Sequence, residues 1–255
     1  MELLKVDISA EDFRKLNDDE QIFFVQISSL LNEVSILQKC VVFSSQGIAD
    51  LETQIERSVQ VYQSLFFFKM LSGKLYEGWT IIIKKSFLRK PFSKEYHELL
   101  CPKAKSSLER LKKYFRKENL IKTIRNRFAF HYNREYIEQK IHDIFQGPGE
   151  HRVLEIYISK YRGDCQYAAA DEITTRALLE TVSAKPEKAM EQFIDEIMQV
   201  STWFQDFGGD CVRIALERMN VEGEKLEEVE IADPPFLLEV VLPYFVQRQD
   251  KDKRS

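Results

Sequence analysis

Phe23, Ile27, Leu30, Val34, Leu37 and Val41 recur at steps of four, three, four, three and four. That spacing lays six apolar side chains along one stripe of an α-helix and does not suit a strand, whose faces alternate every second residue. Asp18 and Asp19 lie ahead of the stripe, where carboxylates favour the positive end of a helix. Gly47 is the expected break. A second stripe follows at Ile55, Val59, Tyr62, Phe66, Met70 and Gly73, running on toward Trp79, Ile82, Ile83 and Phe87. Gly73 and Gly78 weaken it by about 1 kcal/mol each relative to Ala. Two such helices joined near Ser44 to Gly47 predict an antiparallel hairpin. Both stripes last under four heptads, which suits bundle core better than a coiled coil.

Pro91 closes this region. Three shorter helical pieces are expected after it, over Lys94 to Leu100, Lys103 to Lys117, and Leu120 to about Phe145, the last with a kink or restart near Asn133. Gly147-Pro148-Gly149 is the strongest punctuation in the chain and sets the expected boundary between a helical domain, 1–146, and a C-terminal α/β region, 150–249. Val153 to Ile158 reads as a strand, with Cys165 to Ala169 pairing back after the turn signal Gly163-Asp164. Ile173 to Val182 reads as a helix. Pro186 suits the first turn of a longer one that carries Met190, Phe193, Ile197, Val200 and Phe204. Gly208-Gly209 is expected to interrupt that helix before another piece from Asp210 to Met219. Leu226 to Ile231 alternates loosely, as a short edge strand does. The fold class expected is mainly α: an antiparallel helical bundle with a small C-terminal α/β portion.

The composition agrees. With 44% hydrophobic residues, 18 Phe and 10 Tyr, the chain is not disordered, and 9 Gly and 7 Pro in 255 residues are few for a turn-dense β-sandwich or barrel. The N-terminus has neither a basic start nor an apolar core of the secretory kind, and the longest uncharged run, Gln21 to Asn32, is twelve residues. A membrane span needs about 20, so the expectation is a soluble, cytoplasmic protein. The four Cys are scattered and no His stands at ligand spacing from them; no metal site and no cofactor is expected.

Net charge is −4, but the average hides a segregation. Lys84 to Arg134 holds 16 basic and 4 acidic residues, whereas Glu187 to Glu239 holds 4 basic and 14 acidic ones. A basic stretch of this strength attracts polyanions by releasing their condensed counterions. Tyr96, Tyr114, Phe115 and Tyr132 lie within it and offer rings for unpaired bases. Two structural readings stand beside this one. Arg110, Lys112, Lys113, Arg116 and Lys117 make a solvated helix face, or the basic stretch pairs with the acidic part of the chain, within one molecule or across a dimer.

Inside the basic stretch lies Ile124-Arg125-Asn126-Arg127-Phe128-Ala129-Phe130-His131-Tyr132. Arg125 followed by Asn126, with five residues between Arg125 and His131, resembles the signature of the HEPN superfamily of all-helical nucleotide-binding and ribonuclease domains. The resemblance covers the motif and the long helices before it, roughly Asp18 to Phe145. It implies Arg125 and His131 as catalytic residues, Asn126 as their support, and a homodimer in which two motifs meet in one cleft. It also implies a setting in toxin–antitoxin or anti-phage defence, with an antitoxin or other protein partner.

The residue types suit that chemistry on their own terms. Imidazole titrates near pH 6.5 and can move the proton of a 2′-hydroxyl. A guanidinium presents a planar charged fork to a phosphate that gains charge in the transition state. Lys122, Arg127, Lys113 and Arg116 are the candidates to hold an RNA backbone. On an ideal helix, residues six apart lie about 120° from one another, so Arg125 and His131 do not share a face. Phe128 and Tyr132, at i and i+4, suit core packing, and Arg125 has a structural alternative in pairing with Glu118. The expected function is thus a metal-independent endoribonuclease or RNA-binding protein, with a non-catalytic helical scaffold for protein partners as the alternative. His97, His142 and His151 are isolated, and Gly147 to Gly149 lacks the Lys-Ser/Thr of a phosphate loop.

Overall fold

The structure is a computed structural model that describes residues 1–129, 134–145, 155–160, 165–182, 186–221 and 226–246. It is mainly helical with one small antiparallel sheet. The order is β1 (Glu2–Val6), α1 (Ala10–Phe13), α2 (Asp18–Ser45), α3 (Gln54–Glu77), α4 (Ser93–Leu99), α5 (Pro102–Phe115), α6 (Leu120–Ile124), α7 (Arg134–Phe145), α8 (Ala168–Val182), α9 (Pro186–Arg218) and β2 (Leu226–Glu230). Helix α3 continues directly into a wider π-helical stretch, Gly78–Phe87, and α6 into a second one, Arg125–Ala129.

Reciprocal caps start the long helices. Asn17 Oδ1 accepts from the Glu20 amide at 3.1 Å while Glu20 Oε2 accepts from the Asn17 amide at 3.0 Å, and Thr53 and Glu56 repeat the arrangement at α3. Gly47, at φ +68°, turns the chain between the two helices in the left-handed region that favours glycine. The hairpin is antiparallel. Gln60 Nε2 donates to the Ser44 carbonyl at 2.7 Å near the turn, and Lys74 meets Glu33 at 2.9 Å farther along.

The α2 stripe faces the core as the spacing predicts: Phe23, Ile27, Leu30, Val34 and Val41 are buried and Leu37 packs against them. The α3 stripe is different. Leu65, Phe68, Leu71 and Leu75 fill the core, whereas Phe66, expected inside, is 50% exposed. The segment Leu65-Phe66-Phe67-Phe68 is apolar on every side, so periodicity alone does not choose its inner face. Val59, Trp79, Ile83 and Phe87 do lie inside.

Gly208-Gly209 does not break α9, which runs unbroken from Pro186 to Arg218. Gly208 instead permits close packing: a Cβ there would stand 2.9 Å from Leu31 Cδ2 and 3.2 Å from Ile27. Phe193, Ile197, Val200 and Phe204 of α9 are buried in one core with α2, α3 and α5. Residues from both sides of Gly147 to Gly149 therefore share a core; that tripeptide itself, like Asn133, lies outside the described residues.

The segment Leu226 to Glu230 is a strand, as its alternation suggests, and its partner is the N-terminus: Glu2 pairs with Glu230 and Val6 with Leu226. Tyr157 and Gln166 exchange two backbone hydrogen bonds of 2.8 Å, an antiparallel bridge where a strand pair is expected. Among the described residues no helix is long and apolar enough to cross a membrane.

Candidate nucleic-acid interface

Part of the charge segregation is settled within the chain. Helix α9 lies along α5, and its carboxylates serve the N-terminal end of that helix. Asp206 pairs with Lys103 at 2.8 Å and accepts from Ser107 Oγ at 3.2 Å; Asp210 accepts from the Cys101 amide at 2.7 Å. Acceptors at that end satisfy amides that have no intrahelical partner and oppose the helix dipole. Farther along, the Tyr114 hydroxyl donates to Glu196, and both burial and that carboxylate push its pKa up.

The C-terminal end of α5 is different. Lys113 in its last turn and Arg116 and Lys117 just after it are exposed, and none forms an ion pair with a described residue. Other members of the basic face are engaged. Lys112 pairs with Glu109 at 2.7 Å, and the Arg110 guanidinium lies 6.0 Å from the Trp203 ring centroid. Lys122, a candidate for the RNA backbone, is held by Glu118 at 2.5 Å.

Arg125 opens the π-helical segment just after α6 and is partly buried against α3. Its guanidinium carbon lies 5.3 Å from the Tyr76 ring centroid, and Nη1 donates to Asn126 Oδ1 at 3.2 Å. Nε is buried without a hydrogen-bond partner. The alternative pairing with Glu118 is not formed, because Lys122 occupies that carboxylate. Arg125 is thus oriented by a ring and an amide, with no described carboxylate neutralising it. Asn126 and Arg127 are exposed, and Phe128 packs against the core, as its helical spacing suggests. His131 and Tyr132 lie outside the described residues. The angular argument about Arg125 and His131 assumed a regular α-helix, and the 100° step does not hold through a π-helical segment.

Two cavities flank this segment, and Arg127 lines both. The larger, about 850 Å³, opens between Asn119 and Thr123 on one side and Gln192, Asp195 and Glu196 of α9 on the other, with Glu118 at its rim. Three carboxylates against one guanidinium make it acidic, the opposite of a phosphate cleft. The smaller, about 410 Å³, lies between α3 and α8 and contains Lys69 and Asp171. Burial lowers the Lys69 pKa, and Asp171 offsets this in part.

Sequence reasoning did not single out Tyr76, Lys69 or Asp171. Tyr76 carries no signal of its own. Lys69 had one: a lysine directly after the apolar run Leu65 to Phe68. Among the described residues no group of three or more His, Cys, Asp or Glu is placed to hold a metal ion. Comparison with known proteins finds no family model, no curated protein and no solved structure that matches the chain.

Proposed function

We propose that the chain acts on RNA, as a metal-independent endoribonuclease of the HEPN type or as an RNA-binding protein, working as a homodimer across the motif-bearing segment. The observation that carries this reading is the oriented, uncompensated Arg125 guanidinium, fixed by Tyr76 and Asn126 near an exposed amide. Lys113, Arg116 and Lys117 support it as exposed cations without carboxylate partners among the described residues. In this reading His131 takes the proton of a ribose 2′-hydroxyl. The 2′-oxygen bonds to the adjacent phosphorus, the bond from phosphorus to the 5′-oxygen breaks, and that oxygen takes up a proton from water. Arg125 stabilises the charge that builds on the phosphate. The products are a 2′,3′-cyclic phosphate and a free 5′-hydroxyl.

The test is cleavage of a 5′-labelled single-stranded RNA in the presence of EDTA. The parent chain is expected to cut it, and His131→Ala and Arg125→Ala are expected to lose at least a hundredfold in rate while remaining folded. Equal cleavage by the parent and both variants would remove these residues from the chemistry.

A second reading has its own observation. The contacts of Asp206, Asp210 and Glu196 with the α5 region use part of the acidic segment to hold the bundle together, as in a non-catalytic scaffold for protein partners. RNA binding without cleavage in either variant or parent would leave the binding role alone, and absence of RNA binding at low salt would favour the scaffold.

A further inference from the structure

The cavity between α3 and α8 has features that bundle packing does not require. Lys69 reaches it from α3, yet its ammonium forms neither a hydrogen bond nor an ion pair with a described residue. A half-buried lysine without a protein acceptor is held at some cost, and replacing it by an apolar residue would ordinarily help the fold. The nearest opposing charge is Asp171, whose Oδ2 already accepts from Gln166 Nε2 at 2.5 Å. That carboxylate is thus already engaged, and it forms no ion pair with the Lys69 ammonium.

Aromatic rings supply the rest of the wall. Tyr62 and Phe66 come from α3, Tyr167 precedes α8, and Tyr244 comes from the C-terminal segment, where its hydroxyl donates to the Cys165 carbonyl at 3.1 Å. Phe66 and Tyr167 are 50% and 60% exposed. Exposed rings at the edge of a cavity that also holds an ammonium with no ion-pair partner are the arrangement of a ligand site: apolar walls with a few convergent polar groups. At about 410 Å³ the space is near the lower end of the usual range for small-molecule sites, about 300–1,000 Å³.

We propose that this cavity binds a small aromatic oxyanion, a flat ring bearing a carboxylate or a phosphate, with the anion on Lys69 and the ring between Tyr62, Phe66 and Tyr167. A ring offers its face or edge to those side chains. The ammonium of Lys69 acts as a point charge and accepts either oxyanion. Arg127 and Phe128 of the π-helical segment also line the cavity, so an occupant touches the stretch that carries Arg125. The proposal stands independently of RNA cleavage, since Lys69 is on α3 and its ligand is read out by binding alone.

Isothermal titration of the full chain with 2-naphthoate and 2-naphthyl phosphate tests it, with uncharged 2-naphthylmethanol as the control. One equivalent of at least one oxyanion is expected to bind, and which of the two binds tighter identifies the acid. Lys69→Met is expected to weaken it at least tenfold without loss of fold, because the change removes an unpaired charge. Ala170→Trp places a ring at an exposed position in the cavity wall and is expected to abolish binding while Lys69 remains. Binding of neither oxyanion, equal affinity in Lys69→Met, or equal affinity for 2-naphthylmethanol would overturn the proposal.

Discussion

The Arg125 guanidinium carbon lies 5.3 Å from the centroid of the Tyr76 ring, so a side chain of α3 sets the direction of a cation on the segment after α6. A cation–π contact at a partly exposed site contributes about 0.5–1 kcal/mol. Tyr76→Leu keeps an apolar body in that place but removes the ring face. RNA affinity is expected to fall about two- to fivefold, whereas Tyr76→Phe is expected to leave it nearly unchanged. Filter binding at one fixed salt concentration distinguishes them; equal losses in both variants would assign the effect to the hydroxyl.

Three glycines make a second test, because they differ in what surrounds them. A Cβ at Gly78 would stand 2.5 Å from Leu30 Cδ2 and 3.1 Å from Phe204 Cε1, whereas one at Gly209 would meet nothing within 4 Å. Gly78→Ala is expected to destabilise by about 1–3 kcal/mol through overpacking, partly offset by better helix propensity. Gly209→Ala is expected to stabilise by about 0.5–1 kcal/mol through propensity alone. Gly208→Ala is expected to fall between them. Urea midpoints of the three variants give the order.

Arg218 holds Glu20, whose side chain is only 1% exposed, at 2.8 Å and also pairs with Glu95 at 2.8 Å. The contact with Glu20 is Coulombic in kind, since Oε1 lacks a well-directed hydrogen bond. Arg218→Ala leaves a buried carboxylate without its counter-charge and is expected to cost about 3–5 kcal/mol. Combining it with Glu20→Gln is expected to recover a large part of that loss. A double variant no more stable than Arg218→Ala would show that the ion pair is not what Arg218 contributes.

Asp210 gives the fold an acid-sensitive contact. Burial pushes its carboxyl up, but hydrogen bonds from Arg213 and the Cys101 amide outweigh burial, and the net pKa is below the ordinary carboxylate value. A lowered folded pKa contributes stability that is complete above the unfolded value, about 3.9, and is lost as pH falls through the folded one. The Tm difference between the parent and Asp210→Asn is therefore expected to be constant at neutral pH and to shrink below about pH 4. A difference that stayed constant down to pH 2 would contradict the role of the charge.

How much of this was legible in the chain depended on whether a helix carries a single apolar stripe or an unbroken apolar run. Helix α2 shows one apolar stripe, and Phe23 to Val41 land in the core. Helix α3 carries the unbroken run Leu65 to Phe68, which offers apolar side chains on every face, and spacing alone misplaced Phe66. Gly208 and Gly209 read as a break because glycine weakens a helix, yet close packing on Ile27 and Leu31 explains Gly208 better. Strand β1 had no signal because its partner, β2, lies at the far end of the chain and no turn joins them. Arg125 and Asn126 were found by their spacing to His131, while Tyr76 joins them, and Lys69 its cavity, only through tertiary packing.

The salt dependence of RNA affinity measures the phosphate contacts directly. Each contact to single-stranded RNA contributes about −0.7 to the slope of log affinity against log salt. If Lys113, Arg116, Lys117 and Arg125 each hold a phosphate, the slope is expected near −2.8 for the parent and near −2.1 for Arg125→Ala. A parent slope close to zero, or a slope that Arg125→Ala leaves unchanged, would contradict the account.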